Sequence, residues 1–144
     1  MDRLILYHML MLGACGYALL RGTTDARIVA MVFLTGDLAT FALRSSVSGG
    51  YSSVETKILI VDVLAFLAFT YAAMISDRFW PLWISGLQLT TSFGHVLKAI
   101  DPHLLPIAYA AALRFWSYPI LIILALGVWR HHHRMLELGA RNRG

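Results

Sequence analysis

Residues 76–103 read SDRFWPLWISGLQLTTSFGHVLKAIDPH, and this stretch decides the fold of the chain. Its apolar part, residues 79–100, is long enough to cross a hydrocarbon core of roughly 30 Å at about 1.5 Å per residue. Asp77 and Arg78 mark one water boundary, and Asp101 marks the other. The stretch therefore predicts a membrane-spanning helix.

One side of this helix is polar. Gln88, Thr91, Ser92 and His95 follow the i, i+3, i+4, i+7 spacing and share one face. Polar side chains in lipid are unfavourable unless they are bonded, so this face is expected to point into a bundle. Two interpretations stay open: the hydroxyls bond their own helix and Gln88 bonds a neighbour, or the face lines a functional cavity. The opposite side, expected to face lipid, carries Leu82, Leu89, Phe93 and Val96.

The composition supports a membrane protein. The chain has 144 residues, of which 58% are hydrophobic and 14% are charged. Soluble domains carry about 25% charged residues. The length favours one bundle without a second domain. A single cysteine, Cys15, excludes an intramolecular disulfide, and no nucleic-acid motif accompanies the basic charge, so no nucleic-acid partner is expected.

We predict an all-α integral membrane bundle over residues 1–129, with five transmembrane helices, followed by a basic cytoplasmic tail over residues 130–144. The first helix is expected to be uncleaved, with a small-residue patch of Gly13, Ala14 and Gly16 suited to close packing. Four spans remain if the first run lies in the membrane interface. The predicted spans are residues 4–20, 27–43, 57–76, 79–100 and 105–129.

Basic residues favour a cytoplasmic C-terminus and an outer N-terminus. The outer side then holds Arg3, Arg44, Lys57 and Lys98. The inner side holds Arg21, Arg27, Arg78, Arg130, Arg134, Arg141 and Arg143. Phe79, Trp80, Trp83 and Trp129 are expected at the inner interface, and lipid is the expected contact of the whole surface.

This orientation places a polar group from each predicted span in the outer half of the membrane. Arg114 needs a carboxylate, because it does not readily lose its proton. Asp37 or Asp62 can supply that carboxylate, and the aspartate left over could be protonated or paired with His95 or Lys98. The network either fixes helix order or lines a pocket open to the outer face. The candidate cluster consists of Asp37, Asp62, Gln88, His95 and Arg114, with His8 at similar depth.

Cofactors are a further hypothesis. His8 and His95 could together ligate a b-type haem, although neither lies in a haem-binding motif. A quinone pocket near His95, Trp116 and Tyr118 is another alternative. Residues 131–133 are three consecutive histidines that point in different directions on a helix, so we interpret them as surface residues and predict no metal site.

The segment 76–119 resembles part of a group of small uncharacterised multi-pass proteins of alphaproteobacteria. The resemblance rests on DRFWPLW at 77–83, Gly94-His95, Asp101-Pro102 and WSYP at 116–119. It implies a location in the bacterial inner membrane. It implies no activity, cofactor or catalytic residue.

Three functional hypotheses follow. The first is a non-catalytic accessory or assembly subunit of a larger inner-membrane complex, because short loops leave little protein outside the membrane. The second is a protein that binds a small molecule, quinone or haem in the outer-half cluster. The third is a small oligomeric transporter or channel using Asp37, Asp62 and Arg114. We find no catalytic motif, assign no catalytic residue and favour a role that is not enzymatic.

Overall fold

The helices account for nearly the whole described chain. The computed structural model describes residues 3–45, 51–100 and 106–142, and the side chains of residues 5–45, 56–98, 100 and 115–142. Within these ranges the chain is helical and has no strand, which confirms the predicted all-α class. The helices are α1 (Arg3–Arg21), α2 (Thr24–Ser45), α3 (Tyr51–Ile75), α4 (Trp80–Ile100) and α5 (Pro106–Arg141).

Local chemistry sets the tight turn between α1 and α2. The Gly22 N–H donates to the Ala18 carbonyl at 2.8 Å, and the Thr23 carbonyl accepts the Arg27 N–H at 2.9 Å. A Cβ at Gly22 would collide with that same Ala18 carbonyl, so only glycine fits. The turn therefore ends one helix and begins the next within two residues, which makes α1 and α2 antiparallel neighbours.

The turn from α3 to α4 is also short. The Phe79 carbonyl accepts the Leu82 N–H at 3.2 Å. Pro81 occupies the first turn of α4, where a missing N–H leaves no hydrogen bond unmade. We call the end of the bundle that carries residues 22–23 and 76–79 the inner end, and the opposite end the outer end.

The helices close into a ring. Each helix packs against its neighbours in sequence, and α5 returns to pack against α1. Contacts between α2 and α5 and between α2 and α4 cross the interior of this ring. The ring supplies the helix order that the sequence does not reveal, and it decides which polar residues meet.

The small-residue patch predicted on α1 is only partly a packing surface. Ala14 is 6% exposed and packs in the apolar core, whereas Gly13 and Gly16 have nothing within 4 Å of where a Cβ would lie. The fully buried positions of α1 are Cys15 and Ala18, which pack in the same apolar core as Ala30 of α2.

The outward surface of the bundle is apolar. On α4, Leu82, Leu89 and Phe93 are 60%, 50% and 59% exposed, whereas Gln88 and Ser92 are each 6% exposed. This arrangement agrees with the predicted division into an apolar outer face and a polar inner face. Large exposed apolar side chains also occur on the other four helices, and a surface with so many of them suits lipid better than water.

Two of the described helices are long and apolar enough to cross a membrane, over Thr24–Ser45 and Thr56–Ile75. Only 17% of each apolar window is buried within the molecule, which is unlike the core helix of a soluble protein. The apolar part of α1, Ile5–Arg21, is shorter.

Helix boundaries differ from the predicted spans most strongly in α5. The expected change from span to tail at residue 129 is not a helix end, because α5 continues to Arg141. Arginine, methionine, leucine and glutamate all favour the helix, and no glycine occurs between Val128 and Leu138. The helices α2 and α3 also begin earlier than predicted, at Thr24 and Tyr51.

The indole of Trp80 turns inward, contrary to its predicted place at the interface. A Cβ built on Gly127 of α5 would lie 2.8 Å from Cδ2 of Trp80, so the ring covers this glycine. Phe79 and Trp83, at 82% and 69% exposed, face outward, and their place at the membrane interface stays a prediction. The absent side chain at Gly127 therefore permits the close approach of α4 and α5.

Gly127→Ala should destabilise the bundle, because the new methyl group must displace a large ring rather than a flexible chain end. We expect a loss of about 1–3 kcal/mol in unfolding free energy, measured by denaturant titration in detergent. Gly139→Ala is the matched control on the same helix, since nothing lies within 4 Å of its added Cβ. Equal stability of the two variants would contradict the packing argument.

Candidate functional site

The best-defined polar group joins α3 to α4. Nε2 of His95 lies 2.8 Å from Oδ2 of Asp62. The side-chain amide of Gln88 donates to Oδ1 of Asp62 at 3.1 Å and lies 3.3 Å from the Asp62 backbone carbonyl. We call Asp62, Gln88 and His95 the α3–α4 clamp.

Helical spacing explains the clamp. Gln88 and His95 are two turns apart on one face of α4, and both side chains reach the same residue of the neighbouring helix. The side chains of His95 and Asp62 are 10% and 19% exposed, and Gln88 is 6% exposed. The clamp is thus enclosed between two helices whose outer faces are apolar.

The clamp bonds both oxygens of the Asp62 carboxylate. A carboxylate oxygen accepts hydrogen bonds, so Nε2 of His95 is the donor in its contact with Oδ2. Gln88 occupies the other oxygen. A carboxylate bonded at both oxygens by its own chain is well suited to hold two helices in register.

Hydroxyl groups also lie along the polar face of α4. Thr70 of α3 and Ser85 of α4 share a hydrogen bond of 2.7 Å, and Thr91 bonds back to the Leu87 carbonyl at 3.3 Å. Ser92 differs, because its buried Oγ has no hydrogen-bond partner among the described residues. Of the two interpretations left open for the polar face of α4, the bonded one fits Thr91 and Gln88.

A second polar group is looser and more exposed. The Tyr7 hydroxyl donates to Oδ1 of Asp37 at 3.3 Å, and Nε2 of His8 lies 4.0 Å from Oδ2 of the same carboxylate. The side chains of His8 and Asp37 are 42% and 29% exposed. The ring of Tyr118 from α5 packs edge-on against Tyr7, with centroids 5.6 Å apart. We call Tyr7, His8 and Asp37 the open group.

The predicted cluster is therefore divided between two groups. Asp62, Gln88 and His95 meet in the clamp, while Asp37 lies with His8 and Tyr7. The side chain of Arg114 lies outside the described part of the chain, so its pairing with a carboxylate stays a prediction.

The same division bears on the two cofactor hypotheses. His8 and His95, the candidate haem ligands, belong to different groups, and Nε2 of His95 is bonded to Asp62. Tyr118, expected with His95 at a quinone pocket, instead contacts the open group through Tyr7. Trp116 packs against Phe115 of its own helix, with centroids 5.8 Å apart.

A third group at the inner end was not foreseen from the sequence. Asp25, which is 7% exposed, accepts hydrogen bonds from Thr23 and, at 2.6 Å, from Ser76. Arg78 lies 3.4 Å from the Thr23 hydroxyl and 2.8 Å from Nδ1 of His131. This inner group links both short turns to α5.

The sequence does hold one signal for the inner group. Thr23 followed by Asp25 is typical of the start of a helix, where oxygens accept otherwise unbonded N–H groups. It does not reveal that Ser76, about fifty positions away, completes the site, because that contact depends on helix order. His131 was interpreted only as one of three surface histidines.

The contact between Arg78 and His131 fixes the protonation of the imidazole. Arginine only donates, so Nδ1 of His131 must accept and the ring must be neutral. Partial burial, and then the Arg78 and His132 charges, lower the pKa of His131 below its usual range, while Asp25 opposes this shift. Protonation would therefore replace a hydrogen bond with a repulsion.

In the part of the chain that the structure describes, no three His, Cys, Asp or Glu side chains converge into a group that could hold a metal ion. Of the three consecutive histidines, His131 bonds Arg78 and His133 packs against Trp129, with ring centroids 4.8 Å apart.

No family model, curated protein or solved structure matches the chain. Its function is therefore argued from its own geometry. The resemblance of residues 76–119 to small alphaproteobacterial membrane proteins stays a prediction.

His95→Leu should destabilise the bundle, because it removes the donor to one oxygen of a largely buried carboxylate. We expect a loss of about 1–3 kcal/mol in unfolding free energy, measured by denaturant titration in detergent. Thr90→Val is the control, since that exposed hydroxyl bonds only its own helix, at the Gly86 carbonyl. Similar losses in both variants would show that the clamp contributes nothing specific.

Acid should weaken the inner group through His131. Its pKa is lower in the folded protein, so the unfolded chain binds more protons between the two values, and stability falls as pH drops below about 6.5. Hydrogen exchange of residues 76–80 and 131–135, compared at about pH 7.5 and pH 5, should show acid-induced opening. His131→Gln should remove most of this pH dependence and His133→Gln should retain it. An unchanged pH response in His131→Gln would refute the assignment.

Proposed function

We propose that this chain is a non-catalytic accessory or assembly subunit of a larger bacterial inner-membrane complex. In this proposal all the helices cross the membrane, with the N-terminus outside and the C-terminus in the cytoplasm. The protein would then contribute a rigid apolar body, and its partners would perform the chemistry.

The observation that carries this proposal is that the two most buried carboxylates among the described side chains are each bonded at both oxygens by the chain itself. Gln88 and His95 occupy both oxygens of Asp62. Thr23 and Ser76 occupy both oxygens of Asp25. In both cases the chain's own side chains bond the carboxylate, and these bonds hold helices and turns together. Buried polar groups bonded in this way define a single helix arrangement.

The outer surface supports the membrane part of the proposal. Large apolar side chains are more than half exposed on successive helices, including Leu12, Leu38, Leu64 and Leu82. The helix α4 has 21 residues, which at about 1.5 Å per residue spans roughly 30 Å despite its polar face. That polar face is turned inward, so composition alone understates how well α4 suits lipid.

A small-molecule-binding protein is the second candidate, and the open group favours it. Asp37 lies between Tyr7 and His8 at long distances, and its side chain is 29% exposed. A hydroxyl or carbonyl head group, such as that of a quinone, could bond Asp37 or His8 without breaking the clamp. The aromatic rings of Tyr7 and Tyr118 would provide an apolar wall.

Native mass spectrometry distinguishes the two candidates. We expect the protein, extracted from its native membrane in mild detergent, to travel in a particle far above 16.1 kDa that contains other proteins in fixed ratio. The accessory role predicts that Asp37→Asn leaves this particle intact.

A lone chain or homo-oligomer would contradict the accessory role. If that particle also carried the mass of a small ligand, and Asp37→Asn removed it, the second candidate would replace the first. Thr35→Val is the matched control, because its exposed hydroxyl bonds only backbone carbonyls of its own helix.

A further inference from the structure

The last helix is longer than a membrane is thick. Its 36 residues extend about 54 Å, compared with a hydrocarbon core of roughly 30 Å. The apolar part ends at Trp129, and residues 130–141 continue the same helix with mostly charged and histidine side chains between a few apolar ones. We call residues 130–141 the α5 extension.

The buried stripe of α5 does not stop where the bundle stops. Leu121, Leu124 and Val128 are 0%, 0% and 1% exposed. The same alternation of three and four residues continues to His131, Met135 and Leu138. Such alternation is the heptad pattern by which one helix packs along another. The stripe is thus one continuous packing seam, of which the bundle covers only the first half.

The second half of the seam is open. Met135 and Leu138 are 56% and 51% exposed. His131 lies at the transition, and its bond to Arg78 holds this side of the helix toward the inner end of the bundle. Where the helix extends beyond the lipid headgroups, lipid cannot cover these apolar side chains. Another helix can cover them.

The charges beside the seam specify that partner. Arg134 and Arg141 fall at the heptad position that flanks the seam on one side, while His132 and Gly139 flank it on the other. Flanking charges select partners in paired helices. A second copy of this chain would place arginine against arginine, or against histidine and glycine, so self-pairing is disfavoured. A partner helix with acidic flanking residues complements both arginines.

We propose that Met135 and Leu138 form a docking seam for an amphipathic helix of another subunit, in which acidic residues flank the apolar stripe. The inference rests on the proposed accessory role and names the surface that fulfils it. The partner helix continues, outside the lipid, the packing that α5 makes inside the bundle.

The test uses the full chain, extracted from its native membrane and weighed by native mass spectrometry. The double variant Met135→Gln with Leu138→Gln should lower the partner-bound fraction at least about tenfold, since apolar anchors commonly contribute that much. Arg134→Glu with Arg141→Glu should also release the partner. Leu136→Gln is the matched control, because Leu136 is likewise 56% exposed but lies off the seam.

Helical content by circular dichroism should be the same in every variant. If the natural protein travels alone, the proposed function itself fails. If it carries partners that the seam variants keep, the docking inference fails and the accessory role stands. Equal loss in Leu136→Gln would overturn the seam as a specific surface. Loss of bound anionic lipid, with all partners retained, would instead make the extension a lipid contact and overturn the inference.

Discussion

A polar group enclosed by apolar side chains must find its hydrogen bonds within the protein, and the Asp62 carboxylate shows how this requirement fixes the pairing of α3 and α4. Its oxygens are bonded by two residues of α4 that lie two turns apart. Thr70 and Ser85 make a further bond between the same helices, closer to the inner end. Sliding α3 along α4 by even one residue would break these bonds together. Apolar packing alone would distinguish poorly between alternative registers of α3 and α4. A shifted register would leave polar groups unpaired, and this makes it costly.

The inner group extends this control from helix pairs to the ring. Asp25 belongs to α2 and Ser76 to the turn before α4, while Arg78 connects that turn to α5 through His131. Three parts of the chain that are distant in sequence therefore meet at one end of the bundle. Because α5 also packs against α1, fixing α5 at this end closes the ring. The outer end is held differently, since Tyr7, His8 and Asp37 make longer contacts and are more exposed.

Residue spacing predicts those features of the fold that depend on a single helix. The division of α4 into polar and apolar faces follows from residue spacing, and it agrees with the burial of Gln88 and the exposure of Leu89. Helix order depends on pairings between helices, which spacing does not encode. For that reason Asp37 and Asp62 were expected in one cluster but lie in two groups. The inner group was missed because both turns were considered separately as water boundaries. The predicted span ends at residue 129 but the helix continues to Arg141, because polar residues such as arginine and glutamate are good helix formers.

This last difference changes what α5 is. A polar tail after a span would be an anchor near lipid, whereas the helical continuation carries the side-chain pattern of α5 beyond the inner end of the bundle. Leu124 and Leu138 are the same residue type at equivalent heptad positions, yet they are 0% and 51% exposed. Their surroundings differ only because α1 and α4 cover α5 within the bundle and end before it does. The exposed half of the seam therefore has the side chains of a packing surface but no helix covering it. The hydrogen bond between Arg78 and His131 joins this helix to the inner end of the bundle. The internally bonded carboxylates and the exposed half of the seam are therefore the two features that support the proposed accessory role.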